Sequence, residues 1–127
     1  MKSPMKTVVL VASILVGLLF LASGAGKIAN PAGTAKLFAH FGYPGWFATV
    51  IGAVEILGGI GLVIPRVASV ASGVLSAVML GAIFSHLRAG EWNRMAFTIT
   101  LFFVLVVIGV RRRSSAPPSA ASEQTLK

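Results

Sequence analysis

Charged residues and prolines divide the sequence into four long apolar segments. Residues 7–26 are uncharged, residues 45–64 contain a single acid, residues 67–87 carry one histidine near their end, and residues 95–110 lead into three arginines. Because an α-helix rises about 1.5 Å per residue, roughly 20 residues cross the hydrocarbon layer of a bilayer. The pattern therefore predicts an all-α protein, a bundle of four transmembrane helices, in which the last segment is the shortest.

The connection between the first two segments predicts a short interfacial helix. Pro31 follows Asn30 and is a favourable first helical residue, while Gly42 favours a helix end. The predicted helix has an apolar face formed by Leu37, Phe38 and Phe41. We expect this helix to lie flat at the membrane interface and to cap one end of the bundle.

Composition indicates that these segments lie in lipid. Of the 127 residues, 56% are hydrophobic and 11% are charged, whereas soluble domains carry about 25% charged residues. The mean hydropathy is +0.90. We predict a membrane domain over residues 1–110, followed over residues 111–127 by a basic anchor and a disordered cytoplasmic tail.

The positions of the basic residues favour a membrane partner over nucleic acid. The net charge is +8, but the eleven Lys and Arg residues lie between the apolar segments. Six of them fall on the side of the termini and four on the opposite side, apart from Lys127 in the tail. By the positive-inside rule, this bias predicts a multi-pass protein of the cell membrane with both termini in the cytoplasm.

Two properties of the sequence narrow the possible chemistry. There is no cysteine, so disulfides, thiol nucleophiles and cysteine-ligated clusters are excluded, and redox chemistry requires an organic cofactor or a partner subunit. The two histidines have no nearby acid pair, so no metal site is predicted.

The N-terminal segment has a second interpretation. Lys2 and Lys6, the apolar run and the small residues Ser23 and Ala25 are also compatible with a cleavable signal peptide over residues 1–25. An uncleaved first helix is favoured because the apolar run is long and three further spans follow it.

Glu55 is the acid inside the second segment, near the predicted bilayer midplane. A carboxyl group at that depth costs several kcal/mol if it contacts lipid, so it is expected to face the bundle. Gly52 and Gly59 share its helix face and allow a neighbouring helix to approach closely. Ser72 and Ser76 form part of a hydroxyl stripe on the third segment, and we expect a protonated Glu55 to be hydrogen-bonded to serine.

Lys27 and His86 are further candidates for a polar site. Both lie at the predicted outer end of the bundle, about 15 Å from the midplane by helical rise. Two arrangements remain open: direct contact with Glu55, or a separate outer cluster with Arg88 and Glu91. The separate cluster is favoured on depth.

Several short motifs, in this order and spacing, resemble the DoxX family of small four-helix membrane proteins. They are "ASGAGK" at 22–27, "FGYPGW" at 41–46, "GAVEILGG" at 52–59 and "FSHL" at 84–87. The resemblance implies a role like that of the membrane subunits of thiosulfate:quinone oxidoreductases. It implies Lys27, Glu55 and His86 as candidate catalytic residues and a quinone as a possible cofactor.

Two functions are compatible with these features. The first is the membrane subunit of a quinone-linked redox complex, partnered by a soluble or membrane oxidoreductase subunit. Its candidate cofactor-binding seam consists of Gly52, Glu55, Gly59, Ser72 and Ser76. The second is a non-catalytic scaffold that binds lipids or partners, including further copies of itself.

Overall fold

Five α-helices account for most of the chain. The computed structural model describes residues 4–115, with side chains to residue 113, and this part contains no strand. The helices are α1 (Pro4–Ala29), α2 (Pro31–His40), α3 (Gly45–Gly61), α4 (Ala68–Ala89) and α5 (Trp92–Ser115). The predicted all-α fold with a short second helix is confirmed.

Three of these helices, α1, α4 and α5, are each long and apolar enough to cross a membrane. The 17-residue helix α3 meets the same test only together with α2, from which it is bent by 110°. The fold therefore has three spans by length alone, and a fourth if α2 and α3 count as one bent span.

The long helices form two antiparallel pairs. In the first, α1 packs along α3, with Gly17 opposite Gly59 and Gly24 opposite Gly52. In the second, α4 packs along α5, where Ser72 Oγ donates a hydrogen bond to the carbonyl oxygen of Leu105. Short connections between consecutive antiparallel helices are typical of up-and-down bundles.

The two pairs meet at the end of the bundle where α1 begins and α5 ends, which we call the termini end. There, Gly58 and Gly61 of α3 lie against Leu75 and Ala71 of α4. A cluster of buried apolar side chains fills this end: Val16, Phe20, Leu62, Ala71, Leu75, Met79, Leu105 and Ile108. The opposite end, where α2 lies, is called the α2 end.

The bounds of α2 follow from its terminal residues. Asn30 caps the helix, since its side-chain oxygen accepts a hydrogen bond from Gly33 N at 3.3 Å, and Pro31 opens the first turn. Gly42 has a φ of 85°, which glycine adopts without steric cost, and so ends the helix sharply. The sequence predicted both bounds of this helix from these residues.

Three of the long helices differ clearly in length from their predicted segments. Helix α1 extends three residues further at each end, over Pro4–Ala29. Helix α3 ends at Gly61, short of the predicted end at residue 64, where Pro65 disfavours helical geometry. Helix α5 begins at Trp92 and continues through the three arginines, so these residues extend the helix rather than follow it. The predicted disordered tail lies, beyond Ser115, outside the described residues.

Candidate functional site

An ion pair joins α1 to α3 inside the bundle. Lys27 Nζ lies 2.7 Å from Glu55 Oε1, and the two side chains are 22% and 4% exposed. Lys27 Nζ also donates a hydrogen bond to Ser23 Oγ, one turn earlier on α1, at 2.8 Å. The lysine is therefore held by both helices.

This contact corrects the sequence-based expectation that depth separates the two residues. Side chains on a helix lean toward its N-terminus. Lys27, near the C-terminus of α1, therefore leans toward the bundle centre, and Glu55 on the antiparallel α3 leans toward the α2 end. The register of the two helices contributes more: a Cβ atom on Gly52 would lie 3.0 Å from Lys27 Cβ, so Lys27 is level with Gly52 and only about 4.5 Å of helical rise from Glu55. The lean of the two side chains toward each other closes the remaining distance.

The glycines beside Glu55 bring α1 close enough for this contact. A Cβ atom on Gly59 would lie 2.6 Å from the carbonyl oxygen of Gly17, and one on Gly52 would lie 3.0 Å from Lys27 Cβ. Glu55 itself is 3% exposed. The close approach predicted for Gly52 and Gly59 is present, and it shields the carboxyl group from lipid.

The serines, in contrast, do not bind Glu55. Ser69 and Ser72 donate hydrogen bonds to carbonyl oxygens of α5, and Ser76 is half-buried on the same helix. Ser13 lies toward the termini end, where it accepts a hydrogen bond from Arg112 Nη1 at 3.4 Å. The prediction of a serine-bound Glu55 is therefore wrong, because the hydroxyl stripe faces α5.

His86 belongs to a second polar cluster at the α2 end. Its Nδ1 lies 3.2 Å from Glu91 Oε1, and Glu91 Oε2 lies 3.3 Å from Arg94 Nη1. The edge of the imidazole contacts Phe41, with ring centroids 5.7 Å apart. We call His86, Glu91 and Arg94 the rim cluster. Arg88 instead lies over the ring of Phe84.

A cavity of about 880 Å³ separates the two helix pairs at the α2 end. This volume is within the range of small-molecule binding sites, which is roughly 300–1,000 Å³. Its walls are mainly apolar and aromatic, and the ion pair and two members of the rim cluster reach it. The polar side chains that line it are Ser23, Lys27, Tyr43, Glu55, Ser85, His86, Asn93, Arg94 and Thr98.

Tyr43 closes one side of this cavity. Its hydroxyl group lies 2.6 Å from Ser85 Oγ, which joins the α2–α3 connection to α4. Ser85 Oγ donates its proton to the carbonyl oxygen of Gly81 at 2.9 Å, so Tyr43 is the donor to Ser85. The apolar face of α2, with Leu37, Phe38 and Phe41, covers the cavity from the end.

The structure thus brings Lys27, Glu55 and His86 to one cavity. Of the predicted cofactor-binding seam, Glu55 lines this cavity, whereas the other four residues lie outside its lining: Gly52, Gly59, Ser72 and Ser76. Ser23, Tyr43, Ser85 and Arg94 escaped sequence reasoning as site residues. Ser23 could have been found, since it lies one turn before Lys27 on the same helix face. The other three meet the site only through tertiary packing.

These features define a small helical membrane protein with a ligand-sized, partly polar cavity at one end. The sequence profile of the DoxX-like family matches residues 11–109, and the chain belongs to that family. The expected resemblance is thereby confirmed.

Two proteins of Bacillus subtilis (strain 168) are similar to the chain. "Uncharacterized protein YdgD" is 31% identical over 93 residues, which cover 69% of this chain and 82% of YdgD. "Putative oxidoreductase CatD" is 36% identical over 73 residues, which cover 57% of this chain and 54% of CatD, so the match spans about half of that protein. No solved structure matches the chain significantly.

Proposed function

We propose that the chain is the quinone-binding membrane subunit of a redox complex, with the headgroup bound at the Lys27–Glu55 pair. The observation that carries the proposal is an apolar cavity of about 880 Å³ with a buried ion pair in its wall. Ligand sites of this kind combine mainly apolar walls with a few placed polar groups. The word oxidoreductase in the name of CatD agrees with this proposal.

Lys27 has the chemistry to hold a quinone oxygen. An ammonium group has three N–H donors, and the described contacts direct two of them to Glu55 and Ser23. The third donor suits a carbonyl oxygen of the headgroup. A charge-assisted hydrogen bond is stronger than a neutral one and orients the ring.

Glu55 and the rim cluster have roles in proton movement within this proposal. Reduction of a quinone to a quinol takes up two electrons and two protons. The electrons come from a partner oxidoreductase subunit, and the protons reach the headgroup through Glu55, while His86 and Glu91 exchange protons with water at the rim. An intramembrane carboxyl group and a histidine at the rim are residue types that relay protons.

Binding tests this proposal directly. The purified full chain is titrated in detergent with a decyl-tailed benzoquinone while its thermal unfolding midpoint is followed. Saturable stabilisation is expected, because a ligand that binds only the folded state raises its stability. Lys27→Met is expected to weaken binding by about tenfold or more, the loss of one charged hydrogen bond.

Two controls make that measurement specific. Arg88→Met removes a cation that does not line the cavity, and it should leave binding unchanged. Decane supplies the tail without a headgroup and should not stabilise the protein to the same extent. Absence of saturable stabilisation by benzoquinones and naphthoquinones alike would contradict the proposal.

A non-catalytic lipid-binding scaffold is the second candidate, favoured by the apolar walls of the cavity. Glu55→Gln separates the two functions, since it preserves size and hydrogen bonding but removes a proton carrier. In membrane vesicles from the native host, a redox subunit with this change binds quinone but loses quinone reduction. If the chain is a scaffold, the same change leaves quinone reduction by the vesicles unchanged.

A further inference from the structure

Contacts between helices close the cavity on one side more completely than on the other. Between α3 and α4 it is bridged at the α2 end by Tyr43 and Ser85, and toward the termini end by Gly58 against Leu75. Between α1 and α5 the contact is sparse, and the described hydrogen bond, from Arg112 to Ser13, lies at the termini end. The side between α1 and α5 therefore lacks a described bridge at the α2 end.

Two side chains mark an opening on this side. Leu19 of α1 and Phe97 of α5 both line the cavity and are 41% and 59% exposed. Val74 of α4 also lines it and is 44% exposed, but the bridges described above close that side. A side chain that lines a cavity and also faces the surroundings stands at its mouth. In a membrane, that mouth faces acyl chains, so a molecule can pass between cavity and bilayer without entering water.

The charges around the cavity identify the kind of headgroup it accepts. Lys27 is paired with Glu55, and Arg94 is paired with Glu91, so each of these cations has a carboxylate partner. An anionic headgroup that bound these cations would have to displace Glu55, which lines the cavity, or Glu91, which pairs with Arg94 from outside the lining. A neutral headgroup with oxygen acceptors can use the remaining donors and leave the pairs intact.

We propose that the ligand is a neutral, long-tailed amphiphile that enters sideways from the bilayer between α1 and α5. Its headgroup lies at Lys27 and Glu55, and its tail leaves past Leu19 and Phe97, which form the lateral portal. Leu19 lies two helical turns below Lys27, toward the centre of the bundle. The tail therefore leaves the cavity at a depth where lipid tails surround it. This inference rests on the proposed function and adds the route by which a membrane quinone reaches its site.

Release kinetics test the portal. The full chain in phosphatidylcholine nanodiscs is loaded with a radiolabelled isoprenoid benzoquinone and chased with an excess of unlabelled quinone. Leu19→Trp and Phe97→Trp each narrow the portal and should slow release by about tenfold or more, since binding differences appear mostly in dissociation rates. A tail-less benzoquinone should be released at the wild-type rate.

Neighbouring positions provide matched controls. Leu18→Trp and Phe103→Trp add the same bulk to exposed positions of α1 and α5 that do not line the cavity. Both should release the isoprenoid quinone as the wild type does. Ala77→Trp narrows the α3–α4 side instead; slower release in this variant, with wild-type rates in both portal variants, would place the opening there and overturn the inference.

The outcomes separate the two proposals. If the wild type binds neither quinone, the proposed function fails. If it binds both, and the portal variants match their controls, only the lateral portal is refuted. Palmitate tests the headgroup: it should not displace the quinone, and displacement at equal concentration would refute the neutral substrate class.

Discussion

Lys27 and Glu55 show how two ionised groups are kept in an apolar bundle. Removing charges from water costs several kcal/mol per ion, and mutual attraction in a low dielectric offsets this only when both partners are present. Glu55 is 3% exposed and therefore has little contact with water. The ammonium group of Lys27 provides the polar contact that water would otherwise supply. Each member therefore depends on the other.

Single and double replacements should reveal this dependence. Lys27→Met or Glu55→Gln leaves one buried polar partner without its counter-ion and should lower the free energy of unfolding by about 3 kcal/mol. The double variant carries no charge at the site and should recover most of that loss. Thermal unfolding midpoints in detergent provide the measurement, and a double variant as unstable as the two losses added together would refute the coupling.

The residue scale also shows how far the sequence could predict the site. The shielding of Glu55 followed from the flanking glycines, because small residues in a helix face indicate close packing. The partner of Glu55 did not follow, because helical rise gives backbone depth and not the direction of a side chain. The register in which α1 packs on α3 places Lys27 level with Gly52, and the lean of the side chains then brings Lys27 Nζ within 2.7 Å of Glu55 Oε1.

At the scale of elements, α1 and α3 are held together by backbone-to-backbone contact at glycines. A Cβ atom on Gly17 would lie 2.7 Å from the carbonyl oxygen of Gly59, a backbone atom that cannot move alone. Gly17→Ala should therefore force the helices apart and cost about 1–3 kcal/mol. Chemical denaturation with a helicity readout measures this loss.

Gly26 is the matched control on the same helix. A Cβ atom there meets nothing within 4 Å, so Gly26→Ala should not disturb packing. It should stabilise the protein by up to about 1 kcal/mol, because alanine favours a helix more than glycine does. Equal effects of both substitutions would show that close packing at Gly17 is not what stabilises the pair.

The Tyr43–Ser85 hydrogen bond should limit opening of the α2 region. Tyr43→Phe removes the donor and retains the ring, so the global stability should fall by only about 1 kcal/mol. Amide exchange in α2 should nevertheless rise, since local opening depends on the few contacts that hold the element. Hydrogen exchange with mass spectrometry distinguishes α2 from α4; unchanged exchange in α2 would contradict this role.

Element boundaries were predictable where capping chemistry decides them. The start of α2 at Pro31 and its end before Gly42 follow from local backbone preferences that the sequence displays. The extension of α5 through Arg113 did not follow from the apolar pattern, because arginine is a good helix former and hydropathy marks only the lipid-facing length.

On the scale of the whole molecule, the cavity exists because the helix pairs meet at one end only. Gly58 and Gly61 allow α4 to approach α3 near the termini end, whereas the aromatic residues of α2 occupy the other end. The spacing of residues in the sequence predicted which face of each helix packs inward. It did not predict that the two helix pairs separate at the α2 end. The proposed lateral portal depends on that separation, whereas the rim cluster is a local feature of the turn between α4 and α5.

The distribution of basic residues predicts how the bundle is oriented in the membrane. Because α1 starts and α5 ends at the same end of the bundle, we expect both termini on one side of the membrane, and six basic residues on that side against four opposite favour the cytoplasm. A green fluorescent protein fused to the C-terminus should therefore fluoresce, and an alkaline phosphatase fused there should be inactive.

Replacing Arg111, Arg112 and Arg113 with glutamine leaves three basic residues against four, so both reporters should then show partial activity. An active phosphatase on the wild-type chain would reverse the orientation, and the cavity would then open toward the cytoplasmic side.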